Sequence, residues 1–238
     1  MAQFNHEKAL LNRIRPQYRR IGQMIQSIIS SHVDSRGQIN DPVQLEKDLE
    51  RYSGSIEAWA NTFWLKQNEG VAKKIAKDFK RHGFIVDLQS PAVRASIASL
   101  HQAQVDRIVT LPREAAKKAQ EMAFKAATAT GDRAESLIMQ MQGLKAGYPE
   151  YAARRLARTE IAKCQSALVQ TQAKDLGVTH YRWRTVGDEA VRSAHAELDG
   201  KIFAWDDPPD VPGEGRHHPG ESWNCRCYAE PLLPEESK

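Results

Sequence analysis

Apolar residues in the first two thirds of the chain recur at every third or fourth position. Leu10, Leu11, Ile14, Tyr18, Ile21, Ile25 and Ile28 form one such row, the mark of a helix with a single buried face. Pro16 lies inside that row, and an interior proline removes a backbone donor, so a kink or a split is expected there. A second row runs through Leu45, Leu49, Tyr52, Ile56, Trp59 and Phe63. It is announced by Asp41, a good capping residue, and by Pro42, which suits the first helical position. Ser90 and Pro91 repeat the device ahead of "AVRASIASLHQAQVDRIV", and "PREAAKKAQEMAFKAATA" is rich in strong helix formers. No repeat of fixed period and no low-complexity segment accompanies these rows.

Glycine and proline in "GLKAGYPEY" mark a break. The following stretch predicts another helix, with Ala157, Ile161, Cys164 and Leu168 on its buried face. Beyond Gly177 the period changes from about 3.6 to 2: "THYRWRTV" alternates large and basic residues, as a strand with one buried face does, and "KIFAW" and "CRCYAEP" read as two further short strands. The stretch "DDPPDVPGEGRHHPGESW" between them is expected to be an irregular loop, given its prolines and glycines. The pattern therefore predicts an α+β protein: an irregular helical region over 1–147 and a small α+β module with a few short strands over 148–238.

Composition narrows the class without naming a function. The 238 residues suffice for one large domain or two small ones. A formal charge of +4 is too small to announce nucleic-acid binding, so any such reading must rest on where the charges sit. No apolar run approaches the roughly 20 residues that span a bilayer, which predicts no membrane association. The N-terminus lacks the apolar block of a secretory signal, and an odd count of three cysteines speaks for a reducing compartment. Glycines are scattered with no Gly-Lys-Ser/Thr, which argues against an ATP-driven role.

Candidate chemistry gathers in the last quarter. On a strand, residues two apart share a face, so Cys225 and Cys227 present both sulfurs together. His217 and His218 precede them on a loop that could fold back and His195 lies ahead of a turn, so two imidazoles, taken as His195 and His218, complete a Cys2His2 set for zinc, although the one-residue gap between the cysteines matches no common zinc finger. The competing reading is a pair of reduced thiols on a strand beside polar loop histidines. Cys164, on an apolar helix face, belongs with the core. A ββα-metal nuclease would need a metal-holding helix after Asn224, for which no chain remains. A Cys nucleophile activated by His218 lacks an oxyanion site. Arg154, Arg155 and Arg158 lie together on a helix, and with Arg182, Arg184 and Arg192 they form a basic region able to hold DNA phosphates. Alternatively these arginines pair with neighbouring carboxylates on a solvated face.

The ordered series "LARTEIA", "YRWRTVGDEAVRSAHAELDGKIF" and "HHPGESWNCRC" resembles the phage Mu F-like minor head protein, or phage head morphogenesis, family over about Tyr151 to Leu233. Its members share an Arg-Thr before a helix, a strand with Trp, a stretch ending His-x-x-Leu-Asp-Gly, and a closing His-Pro-Asn-Cys-Arg-Cys. Here "GESW" separates Pro219 from Asn224. In some relatives a Cys-x-x-Cys replaces Arg192 and His195. The resemblance makes Thr159, Trp183, Asp199, Gly200, Phe203, Asn224 and Arg226 the structural motif, with Leu198 to Gly200 as a turn and Trp205 joining the small core. It implies a non-enzymatic minor capsid protein in the virion head interior near the portal, present in host cytoplasm during assembly. Portal and other head proteins would be its partners through the helical region, with packaged double-stranded DNA as a further contact. The alternative is a metal-dependent nuclease or hydrolase acting on DNA.

Overall fold

The computed structural model describes residues 6–35, 38–128 and 148–233. The fold is α+β, with α1 (Glu7–His32), α2 (Pro42–Arg81), α3 (Pro91–Thr128) and α4 (Tyr148–Asp175) leading into β1 (His180–Thr185), the short α5 (Ser193–Ala196), β2 (Ile202–Ala204), β3 (Asp210–Val211), β4 (Gly215–Arg216) and β5 (Cys227–Pro231). The expected break at "GLKAGYPEY" lies, up to residue 147, outside the described residues.

The helices begin where their caps place them. Asp41 Oδ1 accepts the Gln44 N–H at 2.9 Å, and Ser90 Oγ accepts that of Val93 at 3.3 Å, each satisfying an orphan donor of the first turn. Neither interior proline ends its helix: α1 is unbroken through Pro16 and α3 through Pro112. Ile14 and Tyr18, fully buried on either side of Pro16, anchor that segment by packing. The buried row of α1 ends on Ile29 and Val33, with Ile28 only half-buried. On α2 the core row runs Leu45, Leu49, Ser53, Ile56, Ala60, Trp64, Asn68, Val71, Ile75 and Phe79. The expected members Tyr52, Trp59 and Phe63 flank it half-buried, the latter two stacked at 4.7 Å. Small or polar residues at Ser53, Ala60 and Asn68 concealed this row from a hydrophobicity pattern.

Contacts group the chain into two compact units, one of Met1–Asn12, Trp64–Gln102 and Leu156–Lys238 and the other of Arg13–Phe63 and Ala103–Arg155. This line passes through the long helices rather than at 147/148, because a helix of 38 or 40 residues is longer than the roughly 30 Å breadth of a small domain. In the second unit, Ser53 Oγ donates to Val109 O at 2.8 Å, and Arg113 grips Glu50 through two contacts of 2.5 Å.

In the first unit α4 is buried around most of its circumference, as a helix covered on several sides must be. Arg158 and Thr159 lie within this helix, not ahead of it. Asn68 Oδ1 accepts the Cys164 thiol at 3.2 Å, and Gln172 donates to Ala72 O at 3.0 Å. The three expected strands form one antiparallel sheet in the order β2-β1-β5. Its register pairs Tyr181 with Phe203, and Trp183 with Ala229. The stretch expected to be irregular carries a small hairpin, β3–β4, pairing Val211 with Gly215. Gly213 and Gly215 both adopt φ of +78°, which lets so short a loop turn. No helix among the described residues is long and apolar enough to cross a membrane.

Candidate functional site

Alternation along β1 sends Tyr181 and Trp183 to the same buried face, and two histidine clusters are built against them. Around Trp183 lie His195, Cys225 and Cys227, with 1%, 1% and 6% exposure. The His195 ring stands edge-on to Trp183 at 5.5 Å. Its Nδ1 lies 3.5 Å from Cys225 Sγ and 3.4 Å from Cys227 Sγ, and the three ligand atoms are all within 4.8 Å of one another. On the ring's other side, Nε2 meets Glu214 Oε1 at 3.2 Å. Burial works against the Glu214 carboxylate, but a hydrogen bond from Ser222 and the charges of His195, Arg192 and His217 together keep it below the usual range. His217 Nε2 lies 3.3 Å from the carboxylate's other oxygen, and Arg192 stands 3.5 Å from Oε1.

The two thiols push each other apart. Cys225 is lowered, first by its hydrogen bond with Cys227 and then by His195, while Cys227 is raised by the same bond and by burial. The hydrogen bond to Cys225 in turn raises His195 against its burial. Cys225 is thus the more readily ionised of the two thiols, beside the imidazole.

His218 is not brought to this cluster, and the Cys2His2 set of His195, His218, Cys225 and Cys227 is corrected accordingly. Its Nε2 accepts from the Gln170 side-chain amide at 3.1 Å, and its Nδ1 donates to the Tyr181 hydroxyl oxygen at 3.0 Å. Both ring nitrogens are therefore committed, and the ring packs against Trp205 at 5.5 Å. Burial lowers the His218 pKa, with Lys174 and His217 adding to the effect and Glu221 and Asp206 opposing it. Unfolded, the ring titrates near 6.5. Below that pH the unfolded chain takes up a proton that the folded chain refuses, so stability is full above about 6.5 and falls as pH drops toward the folded value. A urea midpoint that declines between pH 7 and pH 5, and declines less in His218→Gln, is the expected result; equal slopes would refute it.

The motif residues tie the module's turns together. Asp199 Oδ1 accepts the Thr185 N–H at 2.7 Å, and Gly200, at φ +80°, donates to Trp183 O at 2.8 Å. Thr159 Oγ1 accepts the N–H of Asn224, itself at φ +54°, at 3.1 Å. Arg226 pairs with Asp188. Trp183 and Trp205 are buried, and Phe203 is half-buried.

Within the expected basic region, Arg182, Arg184 and Arg192 have carboxylate partners. Glu230 takes Arg182 at 3.4 Å and Arg184 at 3.2 Å. Arg192 also donates to Trp223 O at 2.6 Å and Ser222 Oγ at 3.2 Å. Arg155 and Arg158 are half-buried, and the Arg154 side chain lies outside the described residues. Sequence reasoning noticed His217 beside His218 but chose His218, read Glu214 only as an acidic loop residue, and missed Gln170 and Tyr181. Of the two missed, only Tyr181 carried a signal, in the alternation of "HYRWRT".

Residues 71–230 match the model of a family described as Phage Mu protein F like protein. Over 199 residues, 79% of its length, the chain is 31% identical to an uncharacterized protein of Haemophilus influenzae, of which this stretch covers 43%. The chain thus spans less than half the length of that relative. No solved structure matches it.

Proposed function

Because the chain belongs to the family of Phage Mu protein F like proteins, we propose that it is a structural minor protein of the head of a tailed phage or prophage, acting in head morphogenesis. The observation that carries this reading is the extent of the family match, residues 71–230, which takes in the "HAELDG" and "NCRC" elements, α4, α3 and the last turns of α2. In this reading the chain is not an enzyme. It joins the procapsid near the portal, and resides in the head interior after assembly in the host cytoplasm. Its partners are the portal and other head proteins, held by the helical region, for which amphipathic faces provide docking stripes. In this reading the module 148–238 is built around the buried clusters at Trp183 and Tyr181.

Packaged double-stranded DNA is a further partner in this reading. In this reading its contact falls to Arg154, Arg155 and Arg158 on α4, since Arg182, Arg184 and Arg192 already serve local carboxylates. Affinity for a duplex should then fall with a log–log salt slope of about −0.9 per phosphate contacted.

The test of the main reading is disruption of the gene in the phage or prophage that encodes it, with lysates followed by electron microscopy and by detection of the protein in purified heads. Co-purification with heads, and loss of normal heads on disruption, is expected. Normal heads and undiminished infectious titre, with the protein absent from particles, would overturn it.

A further inference from the structure

From the geometry around Trp183 we infer that His195 Nδ1, Cys225 Sγ and Cys227 Sγ hold a single zinc ion, with Glu214 as the carboxylate that orients the histidine and a water molecule as the fourth ligand. The spacing is that of a tetrahedral site. Bond lengths of about 2.3 Å to sulfur and 2.0–2.1 Å to nitrogen, at the tetrahedral angle, set sulfur and nitrogen roughly 3.6 Å apart. The two separations here are 3.5 and 3.4 Å.

Three further observations point the same way. First, the Glu214 carboxylate accepts from His195 Nε2, which fixes the proton on that nitrogen and turns the Nδ1 lone pair toward the sulfurs, the arrangement in which a carboxylate supports a metal-bound imidazole. Second, all three ligand atoms are buried together, on residues with 1%, 1% and 6% exposure, and lie within 4.8 Å of one another, so a cation there is shielded from solvent. Third, a cavity of about 50 Å³, lined by Arg192, Asn224 and Arg226 as well as by His195 and Cys227, adjoins two of the three ligands and is large enough for a water molecule.

Charge agrees with this assignment. Two thiolates and a divalent ion sum to zero, the only form in which both sulfurs can be ionised at this depth. Arg192 and Arg226 add no net charge, being matched by Glu214 and Asp188. Thiolate and imidazole together favour zinc over magnesium, calcium or manganese. The ion closes the module by joining α5 to the segment that leads into β5.

The experiment uses the full chain, loaded with zinc and dialysed, with metal content read by elemental analysis and cobalt(II) substitution read by absorption. One equivalent of zinc, with thiolate-to-cobalt charge-transfer bands, is expected. Retention of one equivalent in His218→Ala and its loss in His195→Ala would identify the ligand set. Since removing a buried ligand risks unfolding the module, Glu214→Gln provides a second reading: it should keep the stoichiometry and weaken zinc binding by about 10–100-fold. Less than a tenth of an equivalent in the folded wild-type chain, or unchanged affinity in Glu214→Gln, would overturn the inference.

Discussion

Trp183→Ala is expected to destabilise the C-terminal module by about 3–5 kcal/mol, the range for truncating a large buried aromatic. Trp183 is fully buried, and its ring meets His195 at 5.5 Å, His217 at 5.9 Å and Phe203 at 6.4 Å. Its backbone receives the Gly200 N–H and donates to Lys201 O, both at 2.8 Å, and its strand partner on β5 is Ala229. Truncation therefore opens a void between the β2 and β5 sides of the sheet, beneath the two cysteines and His195. With whole-domain stabilities of only about 5–15 kcal/mol, such a loss approaches what the module has. Urea titration followed by far-UV circular dichroism measures it, with Trp223→Ala as the reference. Trp223 is 45% exposed, so its loss should change stability by less than about 0.5 kcal/mol. Equal effects of the two changes would show that Trp183 does not organise this core.

How much of this was legible in the sequence depends on the scale at which it is read. Helices α1 to α3 were announced by period and caps, and the three-stranded sheet by a change of period after Gly177. The interior row of α1 was legible from Ile14 to Ile25, and that of α2 only in part, because its core row also takes in Ser53 and Asn68, whose polarity is satisfied by hydrogen bonds formed only in the folded chain. Asp78 is similarly invisible: it is 1% exposed, yet paired with His6 at 2.6 Å and Arg81 at 2.8 Å.

At the candidate site the cysteines and His195 could be chosen by residue type and spacing, but the choice between His217 and His218 could not. Neighbours in an extended segment point to opposite sides. Which side faces which cluster is set by the β3–β4 hairpin that delivers them, and that hairpin rests on two glycines at positive φ within an otherwise loop-like composition. The outcome separates their work. His217 lies 5.7 Å from the His195 ring and shares Glu214 with it, while His218 closes the neighbouring cluster of Tyr181, Trp205 and Gln170. Likewise, charge placement along the chain shows Arg182 and Arg184 as a basic strand, and only the β1–β5 register reveals Glu230 opposite them.

Gly220→Ala should be the most damaging single-methyl change in the module, costing about 2–5 kcal/mol. Gly220 has φ of +96°, and a Cβ there would stand 3.0 Å from Ala162 O, 3.2 Å from Ser166 Cβ and 3.4 Å from Cys227 O. Two of these are backbone oxygens, one on the buried helix α4 and one on β5, so neither neighbour yields without moving its element. The conformation alone costs roughly 1–2 kcal/mol for a residue with a Cβ, and overpacking adds about 1–3 kcal/mol. Gly213→Ala separates the two contributions, because Gly213 has φ of +78° with open space around its missing Cβ. It should show the conformational cost only. The excess at Gly220 measures how tightly the loop is pressed between α4 and β5, next to Cys227. Gly220→Ala should therefore also loosen the cysteine cluster, read as faster alkylation of Cys225 and Cys227 in the folded protein. Equal losses at the two glycines, with unchanged thiol reactivity, would mean that the loop rides over the helix without being clamped to it.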